Sequence, residues 1–248
     1  MVPDTPHWSS GMLWVLDTET TGVDVATDRI VQLALLAHSA DLPGVVGGSL
    51  DIVNPGDRIE VPPSAAAIHG LTTERVRSDG EPALDRFTWA AEIVGALARA
   101  RQPLVVFNAP FDVPLLIAEC RRHGIPDPCV PPIIDPLAMD RGLYPRRSGS
   151  RRLGDLCTFY GVALTNAHDA GADAVAAVAL ARAMAQQSEA LRRMPLADLQ
   201  NVQARWHRQW AEDINAYWAR RGESRRADPR WPLGPLTADD SLPQAAAH

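Results

Sequence analysis

Met12-Leu13-Trp14-Val15-Leu16 runs without a break into Asp17-Thr18-Glu19-Thr20-Thr21-Gly22. A short apolar run of this kind reads as a buried strand, and the polar, glycine-punctuated stretch after it as the turn that ends it. Side chains i and i+2 of a strand share a face, so Asp17 and Glu19 are delivered to one place. Taken alone, the pair also fits a solvated strand end. Ile30–His38 and Ser49–Val53 read as two further strands, the second stopped by Asn54-Pro55-Gly56, and short connections make the three an antiparallel meander.

The period then changes. Pro63–Ile68 and Thr73–Arg77 look like short helical turns, and residues 84–101 repeat apolar side chains at helical spacing. Leu104–Phe107 is a buried strand, Phe111–His123 a helix closed by Gly124, Ile133-Ile134 a short strand, and Leu153–Tyr160 a helix closed by Gly161. Ala170–Ala190 is alanine-rich and helical. Strands first, then strands alternating with helices, imply an α/β fold with a mixed sheet covered on both faces.

The expected organisation is an N-terminal segment 1–11, a main domain 12–190, an amphipathic C-terminal helix 195–221 and a flexible tail 222–248. In the helix, Leu199, Val202, Trp206, Trp210, Ile214 and Tyr217 share one face. Packing Trp206 and Trp210 onto the domain is the plain role of that face, and partner binding the alternative.

Composition narrows the function. The 248 residues carry 24 basic and 30 acidic side chains, for a formal net charge of −6, so a nucleic acid would have to be gripped locally. Every basic side chain is arginine, which offers phosphate a planar fork. Cys120, Cys129 and Cys157 lack zinc-ligand spacing and read as reduced thiols of a cytoplasmic protein. No apolar run is long enough for a membrane span, and residues 1–10 show no export signal.

Two more segments join the first. In Phe107-Asn108-Ala109-Pro110-Phe111-Asp112, a buried strand gives way to a helix start; Asp112 fits a helix cap and Asn108 a turn as well as a site. In His168-Asp169-Ala170-Gly171-Ala172-Asp173, a loop enters the alanine-rich helix; either aspartate could cap it, and His168 could be a surface residue. Together, Asp17, Glu19, Asp112 and Asp173 come from one strand end and two helix starts. Such a cluster repels itself unless cations neutralise it, and an all-oxygen ligand set suits Mg²⁺ or Mn²⁺. Phosphodiester hydrolysis uses two such ions, and His168 supplies a base that titrates near neutrality.

These three ordered elements resemble the DEDD exonuclease superfamily, in the subgroup with a histidine, which includes the proofreading subunit of bacterial DNA polymerase III, ribonuclease T and oligoribonuclease. Asp17–Gly22 matches its Asp-x-Glu-Thr-Thr-Gly element, Asn108–Asp112 its Asn-Ala-x-Phe-Asp element and His168–Asp173 its His-x-Ala-x-x-Asp element. The resemblance implies a ribonuclease H-like fold, three-layered with a five-stranded mixed sheet. It implies that Asp17, Glu19, Asp112 and Asp173 bind two divalent ions, that His168 deprotonates water, and that 5′-mononucleotides leave a 3′ end. Thr20 would lie beside the terminal nucleotide, and Asn108 would help to bind the substrate. His69, in Ile68-His69-Gly70-Leu71-Thr72, would line the substrate groove, or else serve a turn with its ring bound to backbone. Arg146, Arg147, Arg151 and Arg152 would grip phosphates from a loop beside the cleft, or else form a solvated basic loop. The expected substrate is single-stranded DNA or a frayed 3′ end in proofreading or repair. An exoribonuclease that trims RNA and a domain that only docks on a polymerase are the alternatives. A DNA polymerase or a second copy of the chain are candidate partners, and no membrane is.

Overall fold

The computed structural model describes residues 7–42, 44–164 and 169–234. Along the chain run β1 (Leu13–Thr20), β2 (Ile30–His38), β3 (Val45–Asn54), α1 (Pro63–His69), α2 (Thr73–Asp79), β4 (Glu81–Pro82) and α3 (Ala83–Ala100). There follow β5 (Leu104–Val105), α4 (Ala109–Arg122), β6 (Ile133–Ile134), α5 (Pro136–Leu143), α6 (Leu153–Tyr160), α7 (Ala170–Gln187), α8 (Glu189–Arg193) and α9 (Leu196–Arg220). The sheet order is β4-β3-β2-β1-β5-β6. β1, β2 and β3 form the antiparallel meander, while β5 and β6 add parallel strands beyond β1.

β1 is therefore central, and its alternation builds both halves of the core. Trp14 and Leu16 face a cluster containing Phe87, Val94, Val113 and Leu116 of α3 and α4. Leu13 and Val15 face the opposite cluster, containing Leu156, Ala174, Val178 and Leu199 of α6, α7 and α9. The sheet lies between two helical layers, the three-layer ribonuclease H-like arrangement expected.

Three expectations need correction. The sheet has six strands, not five, because Glu81–Pro82 pairs with Val53 and Asn54 at the edge. Two residues ending in proline carry no alternation to read, and an edge is where a strand proline is tolerated. Next, the structure adds α5, whose eight residues are too few to show a helical repeat in the sequence. Its Gly142 is required there: a Cβ would fall inside the Trp206 ring of α9.

The third correction is the tail. Residues 222–234 lie against the domain. Asn215 of α9 exchanges two hydrogen bonds with Ala227, His207 Nε2 meets the Asp228 carbonyl at 2.9 Å, and Trp231 packs onto the core cluster of α3 and α4. Periodicity cannot register such a segment, since it docks by single contacts. The rest of the expected tail, 235–248, lies outside the described residues.

The buried stripe of α9 is Leu199, Gln203, His207 and Ala211, while Tyr217 is exposed. Its polar members have a purpose. β6 is an edge strand, and the α9 glutamines complete its hydrogen bonding: Gln200 and Gln203 donate to the Ile133 carbonyl, and their Oε1 atoms accept from Ile133 N and Asp135 N.

Candidate active site

β1 places its last residues by the same alternation as its first. Asp17 and Glu19 turn towards α7, and Thr18 turns towards α4. Carboxylate oxygens of Asp17, Glu19 and Asp173 all lie within 4.8 Å of one another. On the other side, Thr18 Oγ1 donates to Asp112 Oδ1 at 2.6 Å, which draws the first turn of α4 onto the same strand end. Asp112 is only 4% exposed.

The helix starts show that neither Asp112 nor Asp173 is an N-cap. Asp169 is the N-cap of α7, its side chain accepting from Ala172 N at 3.0 Å, so capping does not occupy Asp173 one turn further on. Gly171 lets this end come close, since a Cβ there would sit 2.7 Å from Leu50 Cδ2. Gln32 Oε1 of β2 accepts from Ala170 N and fixes the helix start against the sheet. At α4 the N-cap is Asn108, with φ 64° and no side-chain capping bond, so Asp112 is not the cap either.

The cluster is electrostatically uncomfortable. Burial, then the charges of Asp112, Asp173, Glu19 and Asp169, hold Asp17 well above the usual carboxylate range. Burial, with Asp173, Asp112 and Asp169, raises Glu19 to about 8. Burial raises Asp112 to about 7, although the Thr18 hydroxyl and backbone donors pull it back. Hard oxygen ligands converging under mutual repulsion fit divalent cations: Asp17, Glu19 and Asp173 around one point, with Asp112 adjoining.

Residues 14–181 match the exonuclease family. The chain belongs to the exonuclease family. It is of the DEDD type, whose members are 3′→5′ hydrolases. Relatives include the PolC-type DNA polymerase III of Streptococcus sanguinis, 31% identical over 166 residues, 65% of this chain and 10% of that protein. The Streptococcus thermophilus counterpart is 33% identical over 165 residues, again 65% of this chain and 10% of the relative. The exonuclease chain thus spans about a tenth of the length of these curated relatives. Among solved structures, E. coli Exonuclease I with a dA16 oligonucleotide superposes with TM-score 0.61 at 23% identity, over 83% of this chain and 45% of that one. Its complex with a dT13 oligonucleotide gives 0.59 at 22%, over 73% and 42%. At that identity the likeness is one of fold.

The remaining expected residues of the exonuclease site divide. Thr20 is spent locally, donating to the Gly22 carbonyl at 2.6 Å. His69 Nδ1 accepts from Leu71 N, which leaves Nε2 to donate to the Thr20 carbonyl at 3.2 Å. The ring therefore steadies the end of β1. Asn108 N donates to Asp135 Oδ1 at 3.0 Å. Arg147 and Arg151 turn inwards onto Asp140, which is fully buried and also accepts from Tyr160 Oη. A buried carboxylate thus holds both guanidinium groups, which weighs against their expected place as phosphate grips, while Arg146 and Arg152 are exposed on the loop. His168 lies outside the described residues.

Asp135 escaped the sequence reading. It accepts from Asn108 N, Ala109 N, Leu137 N, Ala138 N and Trp231 Nε1. Asp-Pro directly after an apolar pair is a helix-start signal that would have marked it as a cap, though not as the anchor of the Asn108 turn.

Proposed function

We propose that this exonuclease domain removes nucleotides from the 3′ end of single-stranded DNA in proofreading or repair. Two divalent ions, Mg²⁺ or Mn²⁺, would be held by Asp17, Glu19, Asp112 and Asp173. The observation that carries the reading is the convergence of these carboxylates from β1, α4 and α7, with the proton affinities of Glu19 and Asp112 raised towards neutrality. When bound, such ions supply the positive charge that offsets the phosphodiester and acidifies water.

The chain's own residues do the rest. Thr18 orients Asp112, Asp169 and Gln32 set the start of α7 and so the height of Asp173, and His69 holds the end of β1 through Thr20. His168 precedes Asp169 in the chain and has the right chemistry to take the proton of the attacking water. The names of the relatives, DNA polymerases, and the oligodeoxynucleotides bound in the Exonuclease I structures support DNA over RNA and a polymerase as partner.

The test is degradation of matched 5′-labelled DNA and RNA strands with Mg²⁺, resolved on a gel. A descending ladder on DNA, with RNA shortened more slowly, is the expected result. Faster loss of RNA, or intact DNA, would overturn the assignment.

A further inference from the structure

One carboxylate ties together three segments that are distant in sequence. Asp135 is 1% exposed and caps α5 through Leu137 N and Ala138 N. It also holds the turn into α4. Oδ1 accepts from Asn108 N at 3.0 Å and Oδ2 from Ala109 N at 3.2 Å. Asn108 sits in the left-handed region at φ 64°, which asparagine adopts more readily than most residues but which still gains from being held. Oδ2 has one other donor, the Trp231 indole Nε1 at 3.1 Å. Without the indole, Oδ2 would keep the longer bond from Ala109, and the half of the carboxylate that holds the α4 turn would be less firmly set than Oδ1 with its backbone donors.

The segment that brings Trp231 there also passes close to a second weak point of the same turn. Pro114 has no N–H to donate to the Pro110 carbonyl, so the first turn of α4 lacks a helical bond. Gly234 passes so close that a Cβ at this position would press on the Pro110 carbonyl oxygen. Upstream, the segment is hooked to α9 by the Asn215–Ala227 and His207–Asp228 bonds. Residues 222–234 thus cross from the end of α9 to the first turn of α4, which carries Asp112.

We propose that this C-terminal segment is a strap over the catalytic turn, and that Trp231 is a positioning residue for Asp112, acting through Asp135 and the Asn108–Ala109 turn. The inference rests on the reading of Asp112 as a site ligand. A strap that merely covers apolar surface would support stability alone. A positioning strap governs the geometry of the first turn of α4, where a small misplacement is costly to the chemical step and not to strand binding.

The full chain is used for the test, with Trp231→Phe keeping a ring and losing the donor. Asn215→Ala unhooks the strap from α9 without touching Asp135, and covers the case in which Trp231→Phe folds poorly. Val76→Ala, in the small core between α1 and α2, is the control for general loss of stability. Turnover is followed on a 5′-labelled single strand with Mn²⁺, and amide exchange by mass spectrometry on peptides spanning 104–113. Trp231→Phe should lower kcat about tenfold with KM within about twofold, and speed exchange at Asn108 and Ala109 by about tenfold. Asn215→Ala should move both in the same direction by about threefold, and Val76→Ala neither. Native exchange at Asn108 and Ala109 in both strap variants overturns the strap. Faster exchange with native kcat, or an equal response in Val76→Ala, overturns the positioning role. A native protein that shortens no strand defeats the proposed function instead, and the exchange measurement still decides the strap.

Discussion

Two carboxylate sites lie towards opposite ends of α4 and are treated in opposite ways. Glu119, fully buried, receives a two-pronged bond from Arg29 at 2.8 and 2.9 Å, with Arg122 at 3.4 Å and His123 at 3.7 Å beside it. Its Oε1 also accepts from Ile30 N, so this acid pins α4 to β2. Asp17 has the reverse company: the charges acting on it are those of Asp112, Asp173, Glu19 and Asp169, all of its own sign. The 24 basic side chains are all arginine, and some of them hold Glu119 and Asp140, whereas the charges that dominate Asp17 are acidic. Carboxylates used for structure are neutralised from within the chain. On the proposed function, those at the strand end are left for a cation from solution.

This contrast can be broken most severely at the metal. Asp17→Asn should cut turnover by at least about 10²-fold, with Mg²⁺ present, while the melting temperature stays level or rises because repulsion is relieved. Chelation of the native protein should abolish turnover, and Mn²⁺ restore it. Substantial activity after exhaustive chelation would mean that the cluster is not a metal site.

His168→Ala should lose roughly 10²–10⁴-fold in kcat and remain folded, with Mn²⁺ affinity by calorimetry near native. A near-native rate would make His168 a bystander. Glu119→Gln should show the opposite profile. Breaking a buried pair on one side costs about 3–5 kcal/mol, so denaturant midpoints should fall sharply while turnover per folded molecule persists below the transition. If that variant is stable but inactive, Glu119 belongs to the site and the contrast fails.

The pH response is a subtler discriminator. Glu19 and Asp112 have folded-state values raised to about 8 and about 7, above those of an unfolded chain, so the folded state binds more protons between the two values. Stability in chelator should therefore be greatest at mildly acid pH and fall as pH rises through neutrality, levelling off above about 8. Mg²⁺ or Mn²⁺ should remove that slope, and scanning calorimetry from pH 5 to 9 would show it. A flat profile in chelator would deny the repulsion.

Smallest is the loop. Replacing Arg146 and Arg152 by Gln should lower the salt dependence of single-strand binding by about 0.7 per lost phosphate contact. Arg151→Gln should leave that slope alone and cost stability through Asp140. Equal slopes in all variants would leave no phosphate contact on the loop.

The sequence exposes what local pattern encodes. β1 shows as an apolar run, α7 as an alanine-rich stretch, and Asp17, Glu19, Asp112 and Asp173 through their places at element ends. What it hides is held by pairings across long separations. Nothing near Arg147 or Arg151 announces that Asp140 is buried beneath them, and the glutamines of α9 look like surface residues until β6 needs their bonds. The alternation of polar and apolar groups around Trp231 has no period, so a segment docked through one indole bond and one close glycine reads as tail. It follows that cutting the chain after Arg221 should lower the melting temperature.

The register of β1 against β2 has a consequence for which changes the chain could survive. Thr18 pairs with Leu33 and Glu19 with Gln32, and the ladder shifts only between Glu19 and Thr20. Inserting or deleting one residue between Leu13 and Asp17 would exchange the two faces of everything beyond it, turning Thr18 towards α7 and the acids towards α4. The length of β1 is therefore a hard constraint, whereas Ser39–Leu42, an exposed turn after β2, could change length without any effect on which way those side chains point. Length variation across homologous chains should accordingly be concentrated in that turn and missing from the strand.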